Sequence, residues 1–99
     1  MEAVNVSYAN NKSGTYVEFR LKIYTRSLEE LNAYDKFLQK SIKQDFKTLF
    51  DDYGMDFSTE ASYIVSEGED MYMVMCLCGE TTPELERKLS EIGVMRRDG

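Results

Sequence analysis

The 99-residue sequence contains no histidine and no tryptophan, one proline and two cysteines. Without histidine the chain lacks the commonest general base, the usual activator of serine and cysteine nucleophiles, and the commonest zinc ligand. A single proline excludes a long proline-rich linker. The apolar run at 71–78 is far shorter than the roughly 20 residues that a membrane helix needs. These absences argue against the common histidine-dependent chemistries and against a membrane-spanning helix.

The cysteines, Cys76 and Cys78, lie two apart in a segment that we predict to be a strand, so both thiols point to one side. Alone they supply two metal ligands, whereas a closed zinc site needs about four; a dimer could bring four together. No basic residue lies nearby in sequence to stabilise a thiolate. We therefore expect buried, inert cysteines, no metal and no cofactor. Free thiols and an N-terminus without a signal-peptide pattern predict a cytoplasmic protein.

Two pairs of carboxylates, Asp51 with Asp52 and Glu69 with Asp70, could in principle do acid–base work. Such work needs one carboxyl of a pair to be buried so that its pKa rises. Both pairs stand beside glycines in predicted turns, where acids are usually solvated. The sequence also has no calcium-loop or phosphate-loop spacing. We therefore expect no catalytic residue and no enzyme activity.

The alternation of apolar and polar residues predicts most of the strands. A chain of this length forms a single domain, 1–99. Strands are predicted over 3–8 and 16–25, with a turn at 10–14 between them. A strand over 61–66 should fold back through the acidic turn 67–70 onto 71–78, the uncharged run that we place at the centre of the sheet.

Capping signals predict two helices. Ser27 and Glu30 have the spacing of a capping box, and an apolar stripe continues to Tyr53, so the first helix is predicted over 27–53. Gly54 would end it in a left-handed conformation. The second helix should begin at 81–84 with a threonine cap and a proline in its first turn, and end at Gly93. Leu85, Leu89 and Ile92 form its narrow apolar stripe. Val94 and Met95 are expected either to pack or to form a brief edge strand, and 96–99 to form a frayed tail.

The element order is therefore ββαββα. It predicts an α+β fold in which a four-stranded, mainly antiparallel sheet carries two helices on one face. This order resembles a ferredoxin-like sandwich whose last strand has been moved to the front, a similarity of fold that does not fix function.

Helices on one face leave the other face of the predicted strand 71–78 without cover, although both of its faces are apolar. Leaving three or four such side chains in water would forfeit several kcal/mol, at about 25 cal/mol per Å². We therefore expect a partner on that face, most simply a second copy packed sheet on sheet. The alternative is coverage by loops or by the C-terminal tail of the same chain. The predicted sheet-face interface consists of Tyr16, Tyr24, Tyr72, Met73 and Met75.

Charge is distributed unevenly along the chain. Residues 48–99 carry four basic and twelve acidic side chains, and none of the residues from Thr48 to Glu86 is basic. Such a field repels nucleic acid and attracts a basic protein; solvated acidic loops are the simpler alternative. The predicted partner-binding acids are Asp51, Asp52, Asp56, Glu67, Glu69 and Asp70.

Direct binding of nucleic acid is not expected. Tyr16, Arg20, Lys22 and Tyr24 would share one strand face, like the aromatic platforms of RNA-binding sheets. Glu18 interrupts them, however, and the glycine and aromatic signature of those sheets is missing.

The sequence therefore predicts a small, non-catalytic module that binds another protein. The specific hypothesis is an inhibitor that mimics nucleic acid on the basic surface of its partner. The alternative is a small-ligand-binding or regulatory ferredoxin-like domain that acts as a homodimer. A third hypothesis is a structural subunit that only oligomerises.

Overall fold

The structure is a computed structural model that describes residues 4–59 and 61–98. Three helices and six strands form an α+β fold with a mixed, open sheet. Within the described residues, no helix combines the length and the apolar character needed to cross a membrane. The elements are β1 (Val4–Asn11), β2 (Gly14–Ile23), α1 (Leu28–Asp45), α2 (Lys47–Asp51), β3 (Asp56–Phe57), β4 (Tyr63–Glu67), β5 (Asp70–Gly79), α3 (Pro83–Glu91) and β6 (Met95–Arg96).

The sheet is organised around β5, as the uncharged run predicts. On one side β5 pairs with β2 along its whole length, and β2 pairs with β1. On its other side β5 pairs with β3 near its C-terminal end and with β4 near its N-terminal end. These pairings are antiparallel, whereas β6 runs parallel to β1 at the far edge.

Six strands replace the predicted four because two short strands join the edges. β3 lies between Gly54 and the predicted strand 61–66, where no strand was predicted. There Met55 is 2% exposed and its N–H donates to the Leu49 carbonyl at 3.0 Å. That anchor directs the chain along β5, and the Ser58 N–H bonds the Cys76 carbonyl at 2.9 Å. At the other edge, both alternatives for 94–95 are found, since Val94 packs in the core and Met95 begins the short strand β6. Parts of the predictions at residues 3, 60 and 99 lie outside the described residues.

The first helix begins as predicted but does not continue unbroken to Tyr53. The Ser27 hydroxyl accepts a hydrogen bond from the Glu30 N–H at 3.4 Å, which confirms the N-cap. At Phe46 the backbone leaves helical geometry, with φ −120° and ψ 30°, and α2 begins at the next residue. The Phe46 ring packs edge-on against Phe19, with centroids 5.0 Å apart. Gly54 then ends this region with φ 65°, as predicted.

The core lies between the sheet and all three helices. From the sheet it takes the side chains that alternate along the strands on one face, with Phe19 and Leu77 fully buried. Leu38 and Ile42 of α1, Leu49 of α2 and Leu85 and Leu89 of α3 belong to the same cluster. All three helices therefore cover one face. The other, which we call the open face, carries Tyr16, Glu18, Arg20, Lys22, Tyr63, Val65, Tyr72, Val74, Cys76 and Cys78.

The predicted frayed tail is wrong for residues 96–98. The Arg97 N–H donates to the Tyr8 carbonyl at 2.7 Å, and the Arg97 guanidinium donates to Glu18 at 2.9 Å and to the Ser7 hydroxyl at 3.1 Å. Arg96 donates to the Asp98 carboxylate at 2.9 Å. The tail is held in place because it continues from β6 and because Arg96 and Arg97 donate hydrogen bonds to carboxylates.

Candidate interaction surfaces

The six acids predicted to bind a partner do not form one surface. Asp56 pairs with Cys78, near the end of β5, and Asp51 and Asp52 lie close by at the end of α2. Glu67, Glu69 and Asp70 form the turn from which β5 begins. About 26 Å separate the two ends, because a strand rises roughly 3.3 Å per residue. The acidic run in the sequence becomes two clusters at opposite ends of β5.

Three of these six acids are paired with cations of the same chain. Arg20 donates to Glu67 at 2.8 Å, Lys22 lies 3.2 Å from Asp70, and Lys47 pairs with Asp51 one helical turn away. The hydrogen bonds to these carboxylates are the main reason why the pKa values of all three cations are raised. The Asp56 carboxylate accepts from the neighbouring Phe57 N–H at 2.8 Å.

A concave surface with acidic side chains lies at the end of β5, and we call it the acidic concavity. It encloses about 440 Å³ and is lined by Asp52, Tyr53, Glu80, Thr82 and Glu84. Glu84 stands in the first turn of α3, where the helix dipole favours a negative charge. No ion pair joins Asp52, Glu80 or Glu84 to another residue of the described chain.

Close backbone packing brings the walls of the acidic concavity together. A Cβ atom placed on Gly79 would lie 2.9 Å from Cγ of Met55, which lies just after Gly54 in the segment between α2 and β3. A Cβ atom on Gly14 would lie only 2.3 Å from the Gly79 carbonyl oxygen, and Gly14 also has φ 141°. The two glycines let the β1–β2 hairpin, the end of β5 and the segment after α2 meet.

Glu80 and Glu84 were not among the six acids named as partner-binding, although both stand inside the acidic run. The threonine cap predicted for α3 is Thr82, whose hydroxyl accepts a hydrogen bond from the Leu85 N–H at 3.1 Å. What the sequence does not reveal is that α3 starts beside the end of α2. That proximity depends on the long-range contact between Gly79 and Met55.

The open face is covered in part by side chains of its own chain. Val74 is only 1% exposed although it lies on the face without helices. Its cross-strand neighbours are Arg20 and Tyr63, and the Arg20 guanidinium lies 4.8 Å from the centre of the Tyr72 ring. Long polar side chains can cover apolar surface with their stems and keep the charge in water.

The five residues of the predicted sheet-face interface fall on different surfaces. Tyr16 and Tyr72 lie half-buried on the open face, and Tyr24 is 87% exposed just beyond the end of β2. Met73 and Met75 lie on the opposite face and are buried in the core at 2% and 4% exposure. Neither methionine is available for a contact across the open face, because the helices cover both.

The two cysteines are half-buried free thiols on the open face. Burial raises the pKa of the Cys76 thiol, which is therefore protonated at neutral pH. Across residues 4–59 and 61–98, no three cysteine, aspartate or glutamate side chains come together in a way that could hold a metal ion.

Comparisons with protein-family models, with curated proteins and with solved structures found no match to this chain. The chemistry of its surfaces is what points to a function. The acidic concavity presents carboxylate and hydroxyl oxygens, which accept hydrogen bonds from ammonium and guanidinium groups.

Proposed function

We propose that this protein is a non-catalytic module that binds another protein through the acidic concavity. The observation that supports this is the set of three carboxylates, from Asp52, Glu80 and Glu84, that line one concave surface without a cation of the described chain paired to them. Lysine and arginine side chains of a partner would supply the missing charge. Hydrogen bonds between charged groups are roughly twice as strong as neutral ones, and arginine can bind a carboxylate through two parallel bonds.

The partner is proposed to have a basic surface of the kind that binds nucleic acid. The net charge of −6 attracts such a surface over a distance and speeds association. Carboxylates in the acidic concavity would occupy positions where phosphates otherwise lie. Glu69 is exposed in the turn at the other end of β5. There it would bind a second part of the same basic surface if that surface extends along the length of β5. The specific form of the proposal is an inhibitor of a nucleic-acid-binding protein.

A pair of charge-matched variants tests the proposal. Asp52→Asn with Glu84→Gln removes two charges from the acidic concavity, one of them from the first turn of a helix. The control, Glu29→Gln with Glu91→Gln, also removes two charges, one of them from the first turn of α1 and the other from an exposed residue at the end of α3. Both variants therefore have the same net charge and lose a comparable helix-dipole interaction.

The measurement is capture of a partner from an extract of the native host, followed by titration calorimetry of that partner with each variant at low and high salt. We expect the concavity variant to bind at least about tenfold more weakly at low salt, a difference of about 1.4 kcal/mol. The control should stay within about twofold. Equal weakening of both variants would attribute binding to net charge alone, and unchanged binding by both would overturn the proposal.

The fold assignment to a permuted ferredoxin-like sandwich is also a proposal. It is supported by the order β1-β2-β5-β4 with every neighbouring pair antiparallel, since a ferredoxin-like unit gives this order when its last strand moves to the front. The alternative function, a small ligand held near the methionine strand, has less support. Met73 and Met75 are already packed in the core.

A further inference from the structure

The strand β4 forms an edge of the sheet and has unpaired backbone groups. Among the described residues it pairs only with β5. A two-residue turn closes the hairpin at Glu67 and Asp70, and in such a hairpin the closing pair is hydrogen-bonded. Because bonded and non-bonded positions alternate along an antiparallel pair, Val65 directs its N–H and C=O toward β5. Ile64 and Ser66 direct theirs outward.

This edge lacks the features that usually prevent strands of different chains from pairing. Exposed edges are commonly protected by lysine, proline, a bulge or a covering loop. Residues 61–66 contain neither a charge nor a proline. Tyr63 and Ile64 are 47% and 40% exposed. The Ser62 N–H donates to Asp35 at 3.2 Å, so the preceding segment is held by α1 and the free edge is β4 itself.

We propose that a second copy of this chain pairs with β4, antiparallel and about a two-fold axis at Val65. In this register Val65 faces its own counterpart, Ile64 lies opposite Ser66 of the second copy, and Tyr63 lies opposite Glu67 of the second copy. The outward N–H and C=O groups of Ile64 and Ser66 then form hydrogen bonds between the copies. The interface is self-complementary, as two-fold symmetry requires, and the two sheets become one continuous sheet.

The charges on β4 favour a second copy over a charged peptide. Glu67 is its one ionisable carboxylate or cation, and it is already bound to Arg20 at 2.8 Å. In the proposed register the two Glu67 residues lie four positions apart, about 13 Å. That is beyond the Debye length of about 8 Å at physiological salt. Like charges therefore do not face each other between the two copies. A strongly basic or acidic peptide, in contrast, would find no unpaired charge of opposite sign on β4.

This contact is separate from the acidic concavity, which lies at the other end of β5, so each proposal can fail without the other. The first test is the mass in solution. Because one strand pair buries less than a standard interface of about 800 Å² per partner, association should be weak. We expect the sedimentation mass to rise from 11.5 kDa toward twice that value as concentration is raised to several hundred micromolar. A mass of 11.5 kDa at every concentration would overturn the proposal.

A matched pair of variants locates the contact. Ile64→Lys places a cation on the outward edge, where the two copies would repel each other. Tyr24→Lys adds the same charge at a site that is 87% exposed and follows β2, which β5 separates from β4 in the sheet. We expect Ile64→Lys to weaken association at least about tenfold and Tyr24→Lys to change it less than about twofold. Equal effects of the two variants would contradict the proposed contact.

A disulfide tests the register without depending on affinity. In a background with Cys76→Ser and Cys78→Ser, Val65→Cys would face its counterpart at a non-hydrogen-bonded position, where opposite Cα atoms are about 4.5 Å apart. That separation lies within the range of about 4.4–6.8 Å that a disulfide spans. With oxidised glutathione as the oxidant, Val65→Cys should form covalent dimers at least tenfold faster than Tyr24→Cys. Equal rates would overturn the proposal, as would a chain that remains monomeric but binds unrelated extended peptides.

Discussion

The two edges of the sheet are built in opposite ways. At the β6 edge, two paired residues are followed by Arg97, whose backbone and side chain bond Tyr8, Ser7 and Glu18. At the β4 edge, five residues pair on one side only, and the strand carries no charge before Glu67. Edge strands are normally kept short or charged because their free backbone groups recruit other strands. The proposed pairing of two copies depends on this difference between the edges.

The largest expected effect comes from placing proline at neighbouring positions of β4. Val65→Pro removes a backbone donor to β5 and should lower the free energy of unfolding by about 3 kcal/mol. Ile64→Pro removes an outward N–H and should cost about 1 kcal/mol or less, because edge strands tolerate proline at such positions. Urea unfolding of both variants provides the measurement. Similar losses for both would mean that the assignment of outward groups is wrong.

The protected edge depends on a buried side chain just before β6. Val94 is 4% exposed, and its N–H donates to the Leu89 carbonyl at 2.9 Å. Val94→Ala leaves a small cavity and should lower the free energy of unfolding by about 2 kcal/mol. The neighbouring Met95 is 74% exposed, so Met95→Ala serves as the control, with an expected change below about 0.5 kcal/mol. A loss at Met95 equal to that at Val94 would count against this anchor.

A smaller effect is expected for the cation that covers the β6 edge. Arg97→Met keeps much of the side-chain length but removes the bonds to Glu18 and Ser7. Because the ion pair is partly exposed, the expected loss of unfolding free energy is only about 0.5–1 kcal/mol. Arg87→Met, at an exposed position on α3, should change stability by less than Arg97→Met. Chemical denaturation at low and high salt checks both, and the Arg97 effect should shrink as salt rises.

The smallest expected effect is a pH dependence of the same edge. The hydrogen bond from Arg96 lowers the pKa of the Asp98 carboxyl below its usual 3.8. A lowered pKa in the folded state means that the interaction is present above pH 3.8 and is lost as pH falls through the folded value. We expect the amide signal of Arg97 to shift in NMR spectra only below that pH. In Asp98→Asn the shift should be absent; a shift that persists would exclude Asp98 as its cause.

The parts of the fold that could be predicted from the sequence have local causes. The period-two alternation identified β2, and the uncharged run identified β5. Ser27 and Thr82 mark helix starts because their side chains accept hydrogen bonds from the first turn. Gly54 marks the end of a helical region because it adopts a positive φ. The break at Phe46 left no such signal, because the apolar stripe continues through it at helical spacing and neither glycine nor proline interrupts the segment. The ring contact with Phe19, distant in sequence, accompanies that break.

The candidate surfaces were less predictable, since they depend on contacts between distant residues. The acidic run was visible in the sequence, but only the tertiary structure divides it between the two ends of β5 and adds Glu80 and Glu84 to Asp52. The open face was expected to be exposed and apolar. Instead, Val74 is covered by Arg20 and Tyr63, which lie on the strands on either side of β5. The register of the strands determines that these three residues are neighbours.

The junction of Gly14, Gly79 and Met55 has a consequence for engineering the acidic concavity. Main-chain segments meet beside that surface at close range, since a Cβ atom at position 14 would lie only 2.3 Å from the Gly79 carbonyl oxygen. The side chains of Asp52, Glu80 and Glu84 line the surface and take no part in this glycine contact. We expect substitutions at these three positions to change the charge of the surface and to leave the junction in place.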